Sequence, residues 1–295
     1  DQLGGFSSDD VQALSTAQVR ALGSSQLGVL SSDAIEAMSS AQIGSLTSVQ
    51  VKGLSSDQTA AIGTNDISAL NTGALRALNT DQFGALSSDQ LAALGSAQVA
   101  ALTTSLIGAI GSDEISAFNS SQIRALGTAQ IAALSTDQLS GLASDDVQAL
   151  SSAQIQALSS AQIGAISTDG IVALGSTQFG ALTTKHVAGL STDQIAAIES
   201  SDVRYLSTQA LRGLSTDQVA ALESDQVAAL STSQVGALST GQLGALSSDD
   251  FNALGSAQIR ALSTAQLAAL PTTLVSAMVS DDVQALTSVQ LRAFN

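Results

Sequence analysis

The stretch Ser215–Leu222, with the sequence STDQVAAL, is a clear example of the eight-residue unit that decides the fold of this chain. Counted from Ser7, the sequence contains 36 consecutive copies of this unit without insertion or deletion, and the last copy ends at Phe294. Residues 1–6 match the end of a copy, and Asn295 matches the first position of a copy. A short, unbroken period predicts a stack of equivalent units rather than separate globular domains. We therefore expect residues 1–295 to form a single continuous repeat array.

Two apolar positions recur in the unit, whose positions we number one to eight from Ser7. Position eight is apolar in all 36 copies, and position five is apolar in 35, with Thr59 as the exception. Residues three apart share one face of a helix, whereas they lie on opposite faces of a strand. Position seven is Ala, the best helix former, in 29 copies. The pattern predicts a helical core whose first members are Val11, Leu14, Val19 and Leu22.

Position two is Ser or Thr in every copy, which is the residue type typical of a helix N-cap. This pattern predicts that helices occupy positions three to eight, with position one as an extended link. The predicted caps in the first five copies are Ser8, Thr16, Ser24, Ser32 and Ser40. The alternative cap is position one, which gives a Ser-x-x-Gln capping box and moves the helix by one residue.

A single copy is too small to fold alone. Burial of two aliphatic side chains contributes roughly 3–6 kcal/mol, whereas ordering eight residues costs on the order of 12 kcal/mol. The copies must therefore stack, and the sequence predicts an all-α solenoid with one very short helix per copy. Two or three copies per coil are both compatible with the pattern. A β-solenoid is the alternative, although strands favour Val, Ile and Thr where this chain has Ala and Gln.

The composition narrows the classes of partner. The formal net charge of −16 disfavours nucleic acids and anionic membrane surfaces. No apolar run approaches the roughly 18–20 residues that span a bilayer, so we expect no membrane insertion. The chain has no Cys, and no catalytic or phosphate-binding motif is present. The Asp-rich first turns lack the glycine-rich loops of calcium sites. We expect no cofactor, no metal site and no enzymatic activity.

A few departures from the consensus stand close together in sequence. His186, the one histidine, occupies position four beside Lys185, and Tyr205 replaces the small residue of position seven beside Arg204. A local group of unusual side chains is typical of a contact site on a repeat surface. Lys185, His186, Arg204 and Tyr205 are therefore the predicted contact patch. The alternative for His186 is a tolerated substitution, since a general base needs partners that the sequence does not show.

The consensus S-[ST]-x-Q-[VIL]-x-A-L, as in Ser215–Leu222, resembles the short tandem repeats of large bacterial hemagglutinin-like or adhesin-like exoproteins. This resemblance covers the whole chain. It implies an extracellular or cell-surface location and a role as stalk, spacer or fibre-forming segment. We expect a structural segment that self-associates end to end or laterally. The alternative is a solenoid that binds a protein or glycan partner.

Overall fold

The computed structural model describes residues 2–294, and within this range each of the 36 copies forms one short helix. No strand occurs in residues 2–294, so the predicted all-α solenoid is confirmed and the β-solenoid alternative is wrong. The chain divides into two compact units, one ending at Ala149 and the other beginning at Leu150. The single continuous array remains a prediction from the sequence.

The helices of the first unit comprise two 3₁₀-helices, Gln2–Gly5 and Ile67–Ala69, and seventeen α-helices: α1 (Ser8–Ala13), α2 (Thr16–Ala21), α3 (Ser24–Leu27), α4 (Ser32–Glu36), α5 (Ser40–Ser45), α6 (Ser48–Val51), α7 (Ser56–Ala60), α8 (Thr72–Leu75), α9 (Thr80–Gly84), α10 (Ser88–Ala92), α11 (Ser96–Ala101), α12 (Thr104–Gly108), α13 (Ser112–Ile115), α14 (Ser120–Ala125), α15 (Thr128–Ala132), α16 (Thr136–Ser140) and α17 (Ser144–Ala149).

The second unit contains eighteen α-helices: α18 (Ser152–Ala157), α19 (Ser160–Ala165), α20 (Thr168–Val172), α21 (Ser176–Ala181), α22 (Thr184–Val187), α23 (Thr192–Ala196), α24 (Ser200–Val203), α25 (Thr208–Arg212), α26 (Thr216–Ala220), α27 (Ser224–Ala229), α28 (Thr232–Ala237), α29 (Thr240–Gly244), α30 (Ser248–Asn252), α31 (Ser256–Arg260), α32 (Thr264–Ala268), α33 (Thr272–Ala277), α34 (Ser280–Ala285) and α35 (Ser288–Leu291).

The residue at position one caps the helices. In α28, Ser231 is extended, with φ −71° and ψ 159°, and its Oγ accepts a hydrogen bond from the N–H of Gln234 at 3.2 Å. The Oε1 of Gln234 in turn accepts from the N–H of Ser231 at 2.8 Å. These two bonds form the capping box of the alternative interpretation. An N-cap must be extended, which position one satisfies and position two, already helical, does not.

The prediction that position two supplies the caps is therefore wrong. Ser8, Thr16, Ser24, Ser32 and Ser40 are each the first residue of helices α1–α5. The N-caps of these helices are the residues immediately before them: Ser7, Ser15, Gly23, Ser31 and Ser39.

Position eight lies just beyond the helix in the longer copies. Leu238 follows α28 with φ −59° and ψ 140°, and its N–H donates to the carbonyl of Val235 at 3.2 Å. This tight turn keeps positions five and eight on one side, and both side chains are buried. Val11 and Val19 are buried too, while Leu14 and Leu22 are partly exposed because they belong to the first coil.

Each helix packs against the helix three copies away in the same unit, as α25 does against α28 and α28 against α31. The side chain of Gln234 joins successive coils, because its Nε2 donates to the carbonyls of Val203 at 3.0 Å and Leu206 at 2.8 Å. These bonds span 31 and 28 residues. Because each helix packs on the one three copies away, each coil contains three copies.

The hydroxyl at position two also reaches the next coil. Oγ of Ser8 donates to the carbonyl of Asp33 at 3.2 Å, and Oγ of Ser48 donates to that of Gly73 at 3.0 Å. In the second unit, Ser152 makes the same bond to Thr177 at 3.2 Å. In these copies the hydroxyl at position two therefore bonds one coil to the next and does not cap its own helix.

We predict that Gln234→Ala lowers the free energy of unfolding by about 2–4 kcal/mol, because it leaves the partly buried N–H of Ser231 and the buried carbonyl of Leu206 without a partner and removes one of the two bonds to the carbonyl of Val203. Urea denaturation followed by far-UV circular dichroism measures this loss. The matched control is Gln18→Ala, since Gln18 lies in the first coil, is exposed and makes the capping bonds to Ser15. Equal losses in the two variants would show that the bonds between coils contribute little.

Candidate functional site

The predicted contact patch does not form one exposed group. Lys185, Arg204 and Tyr205 are exposed, and the Tyr205 side chain retains 46% of its accessible surface. His186 is 2% exposed and lies in the core. The inclusion of His186 in an exposed patch is therefore wrong, because position four is buried in most copies beyond the first coil.

His186 replaces the bridging glutamine atom for atom. The N–H of Thr183 donates to Nδ1 of His186 at 3.1 Å, as a cap N–H donates to Gln Oε1 in other copies. Nε2 of His186 lies 3.0 Å from the carbonyl of Leu158, where a glutamine Nε2 would donate. Nδ1 must therefore be the acceptor and Nε2 must carry the hydrogen, so both bonds require the neutral imidazole.

The surroundings favour this neutral form. Burial lowers the pKa of His186, and the positive charge of Lys185 acts in the same direction, against the opposing effect of the Leu158 carbonyl. A proton added to Nδ1 would point at the N–H of Thr183 and remove the cap bond. His186 is thus a structural replacement that depends on remaining uncharged.

Two buried carboxylates at position four accept a hydrogen bond from a hydroxyl in the preceding coil. Oγ of Ser120, at position two three copies earlier, donates to Oδ1 of Asp146 at 2.9 Å, and Ser224 does the same for Asp250 at 2.7 Å. Burial raises the pKa of Asp146, and the charge of Asp145 adds to this effect, while the bond from Ser120 opposes it. Within residues 2–294, no group of three or more His, Asp or Glu side chains is placed to hold a metal ion.

Sequence reasoning missed the residues that do most of the joining, which are the position-four glutamines. Of the 22 glutamines at this position, all from Gln42 onward are buried, while Gln18 and Gln26 are exposed in the first coil. The sequence feature that could have identified them is the frequent glutamine at position four, directly before the apolar position five. A buried amide requires several partners, and a local cap provides only part of them.

None of the helices within residues 2–294 has the length and apolar character needed to cross a membrane.

The profile of a family described as the ALTTAQ repeat matches most of the chain, in overlapping segments at residues 3–40, 35–64, 59–96, 107–144, 139–176, 165–192, 171–198, 195–232 and 244–280. No curated protein matches the chain.

We predict that His186 makes stability depend on pH. Because its pKa is lowered in the folded state, the free energy of unfolding is highest above the ordinary histidine pKa of about 6.5 and falls as the pH drops below it. His186→Gln should remove this loss, so the urea midpoints of the two proteins should diverge between pH 7.5 and pH 5.

The reciprocal control is Gln50→His, because Gln50 also follows a threonine cap and donates to the carbonyls of Val19 and Leu22. That variant should gain the acid sensitivity that His186→Gln loses. Parallel pH profiles for all three proteins would contradict the assignment.

Proposed function

The chain belongs to the ALTTAQ repeat family, and from this membership and its uniform helical copies we propose that it is a non-enzymatic structural segment of a larger bacterial surface protein. In this role it acts as a spacer or stalk. The observation that carries the proposal is the repeated glutamine bridge, by which each coil is fastened to the one before it through the same side chain. Such an array can be extended copy by copy without any change in its contacts.

The distribution of polar side chains supports the structural role. Buried polar groups at position four are used in caps and bridges, and every buried side-chain nitrogen or oxygen of the described residues has a hydrogen-bond partner. The one histidine uses both ring nitrogens in contacts with backbone groups. The buried polar side chains thus serve to bond helices and coils to one another.

The proposed location is the bacterial cell surface or the extracellular space. The support is the likeness of the consensus to repeats of hemagglutinin-like and adhesin-like exoproteins. Antibodies against the segment should label intact, unpermeabilised cells of the native host. Labelling that appears only after permeabilisation would place the protein inside the cell and overturn this part of the proposal.

A spacer should tolerate changes of length in whole coils. We predict that deletion of residues 79–102, which are three complete copies, leaves a cooperatively folded helical protein. Its far-UV circular dichroism should keep the helical signal per residue, and its urea transition should remain cooperative.

The matched control removes residues 79–98, which breaks the eight-residue register. Glutamines after the deletion would then face side chains instead of the carbonyls of the preceding coil, and the urea midpoint should drop. If both deletions fold equally well, or if the three-copy deletion unfolds, the spacer proposal fails.

A further inference from the structure

The basic side chains of the first unit are concentrated on one stack of helices. We call the stack formed by α3, α6, α8, α11 and α14 the first basic stack, since each of these helices packs on the next. It carries Lys52, Arg76 and Arg124, all exposed at position six. Its five copies contain no Asp or Glu, although the helix that packs next on α14, α17, carries the exposed Asp145.

The second unit repeats this arrangement. The second basic stack consists of α19, α22, α25, α28 and α31, which also pack in series. It carries Lys185, Arg212 and Arg260, all exposed, and its five copies again contain no Asp or Glu, whereas the next helix in series, α34, carries the exposed Asp281. The three remaining bases, Arg20, Arg204 and Arg292, lie on helices outside the two basic stacks.

The recurrence follows a long period in the sequence. Arg76 and Arg212 are 136 residues apart, as are Arg124 and Arg260, which is a spacing of 17 copies. The segment SDDVQAL occurs with the same spacing at residues 8–14, 144–150 and 280–286. A pattern of charge preserved over this period marks the basic stacks as a constant feature of the array.

Another stack in each unit carries the opposite charge. Helices α1, α4, α7 and α9 pack in series, and each presents an exposed Asp at position three: Asp9, Asp33, Asp57 and Asp81. In the second unit, α20, α23 and α26 present Asp169, Asp193 and Asp217 in the same way. We call these the acidic stacks.

The basic stacks also offer room for a partner's side chains. Arg260 borders a groove of about 480 Å³ that is otherwise lined by the small residues Thr232, Ser256, Ala257, Ala261 and Ala285. Position six of the intervening helix α28 is Gly236, so no long side chain covers the space between Arg212 and Arg260. Their guanidinium groups are accessible to carboxylates from outside.

We propose that the basic stack of one molecule docks on the acidic stack of a second copy of this chain, side by side. This inference rests on the structural role proposed above and adds to it the partner and the contact surface. Successive helices of a stack pack at one helix spacing, so Arg212 and Arg260, which lie two helices apart, can face the Asp side chains of every second helix in an acidic stack. Because two different faces meet, each molecule keeps one face free, and the contact can propagate laterally.

The contact overcomes the mutual repulsion of two acidic molecules only at short range. At physiological ionic strength the screening length is about 8 Å, so the net charges are largely screened before the faces touch. The paired Arg and Asp side chains on the surface are screened by added salt as well. The association should therefore be reversible and should weaken as salt is raised.

The test compares two triple variants with the same change in net charge. Arg76→Glu, Arg124→Glu and Arg260→Glu reverse the basic stacks, whereas Arg20→Glu, Arg204→Glu and Arg292→Glu reverse bases elsewhere. Arg212 is left intact because its Nε donates to the carbonyl of Ala237 at 2.9 Å. Sedimentation equilibrium at low and high NaCl should show salt-sensitive association of the wild type and of the second triple variant. The first triple variant should associate at least about tenfold more weakly.

A variant with reversed charge on the acidic stacks tests whether the first triple variant fails to associate because it is misfolded. A third variant, Asp57→Lys, Asp81→Lys and Asp193→Lys, should associate poorly alone but pair with the first triple variant when the two are mixed. A wild type that remains monomeric at every salt concentration would overturn the proposal, as would equal weakening in both arginine variants. Retention on immobilised heparin through the same arginines, without self-association, would identify a polyanion as the partner instead and would also overturn it. The deletion test of the spacer role is unaffected by any of these results.

Discussion

The amide side chain of the position-four glutamine is the contact on which the whole structure depends. A helix of four to six residues leaves most of its N–H and C=O groups without partners inside the helix. The glutamine supplies three of the missing bonds, one to the N–H of its own cap and two to carbonyls at the end of a helix in the preceding coil. The helices are consequently stable only as members of a stack, which explains why an eight-residue unit can be both too small to fold alone and well ordered in the array.

The fold class could be predicted because apolar residues three apart lie on one face of a helix and on two faces of a strand. The cap position could not be decided, because positions one and two both carry hydroxyl groups in most copies. In some copies position two joins coils, as in the bond from Ser8 to Asp33, which connects residues 25 apart in the chain. Local patterns do not reveal such a bond, and for the same reason they do not fix the number of copies per coil.

The departures from consensus follow from the same contact. His186 keeps the bond from the cap and one of the two bonds to the preceding coil, through its two ring nitrogens. A carboxylate can only accept, and Asp146 and Asp250 instead receive a hydroxyl from the helix three copies earlier. His186 was read from sequence as a surface feature because its burial depends on a coil 28 residues away. The separation of basic and acidic stacks likewise becomes visible only when every third copy is grouped into one stack.

The corners between helices are made entirely of ordinary backbone. No residue in the described range 2–294 has a positive φ, and the links at positions eight and one are extended, so no corner requires glycine. Cap, core and bridge are therefore all encoded within one eight-codon block. Unequal recombination between such blocks in the gene adds or removes complete units and leaves every junction intact. The length of the array is thus free to vary between lineages far more readily than that of a protein whose turns depend on individual residues.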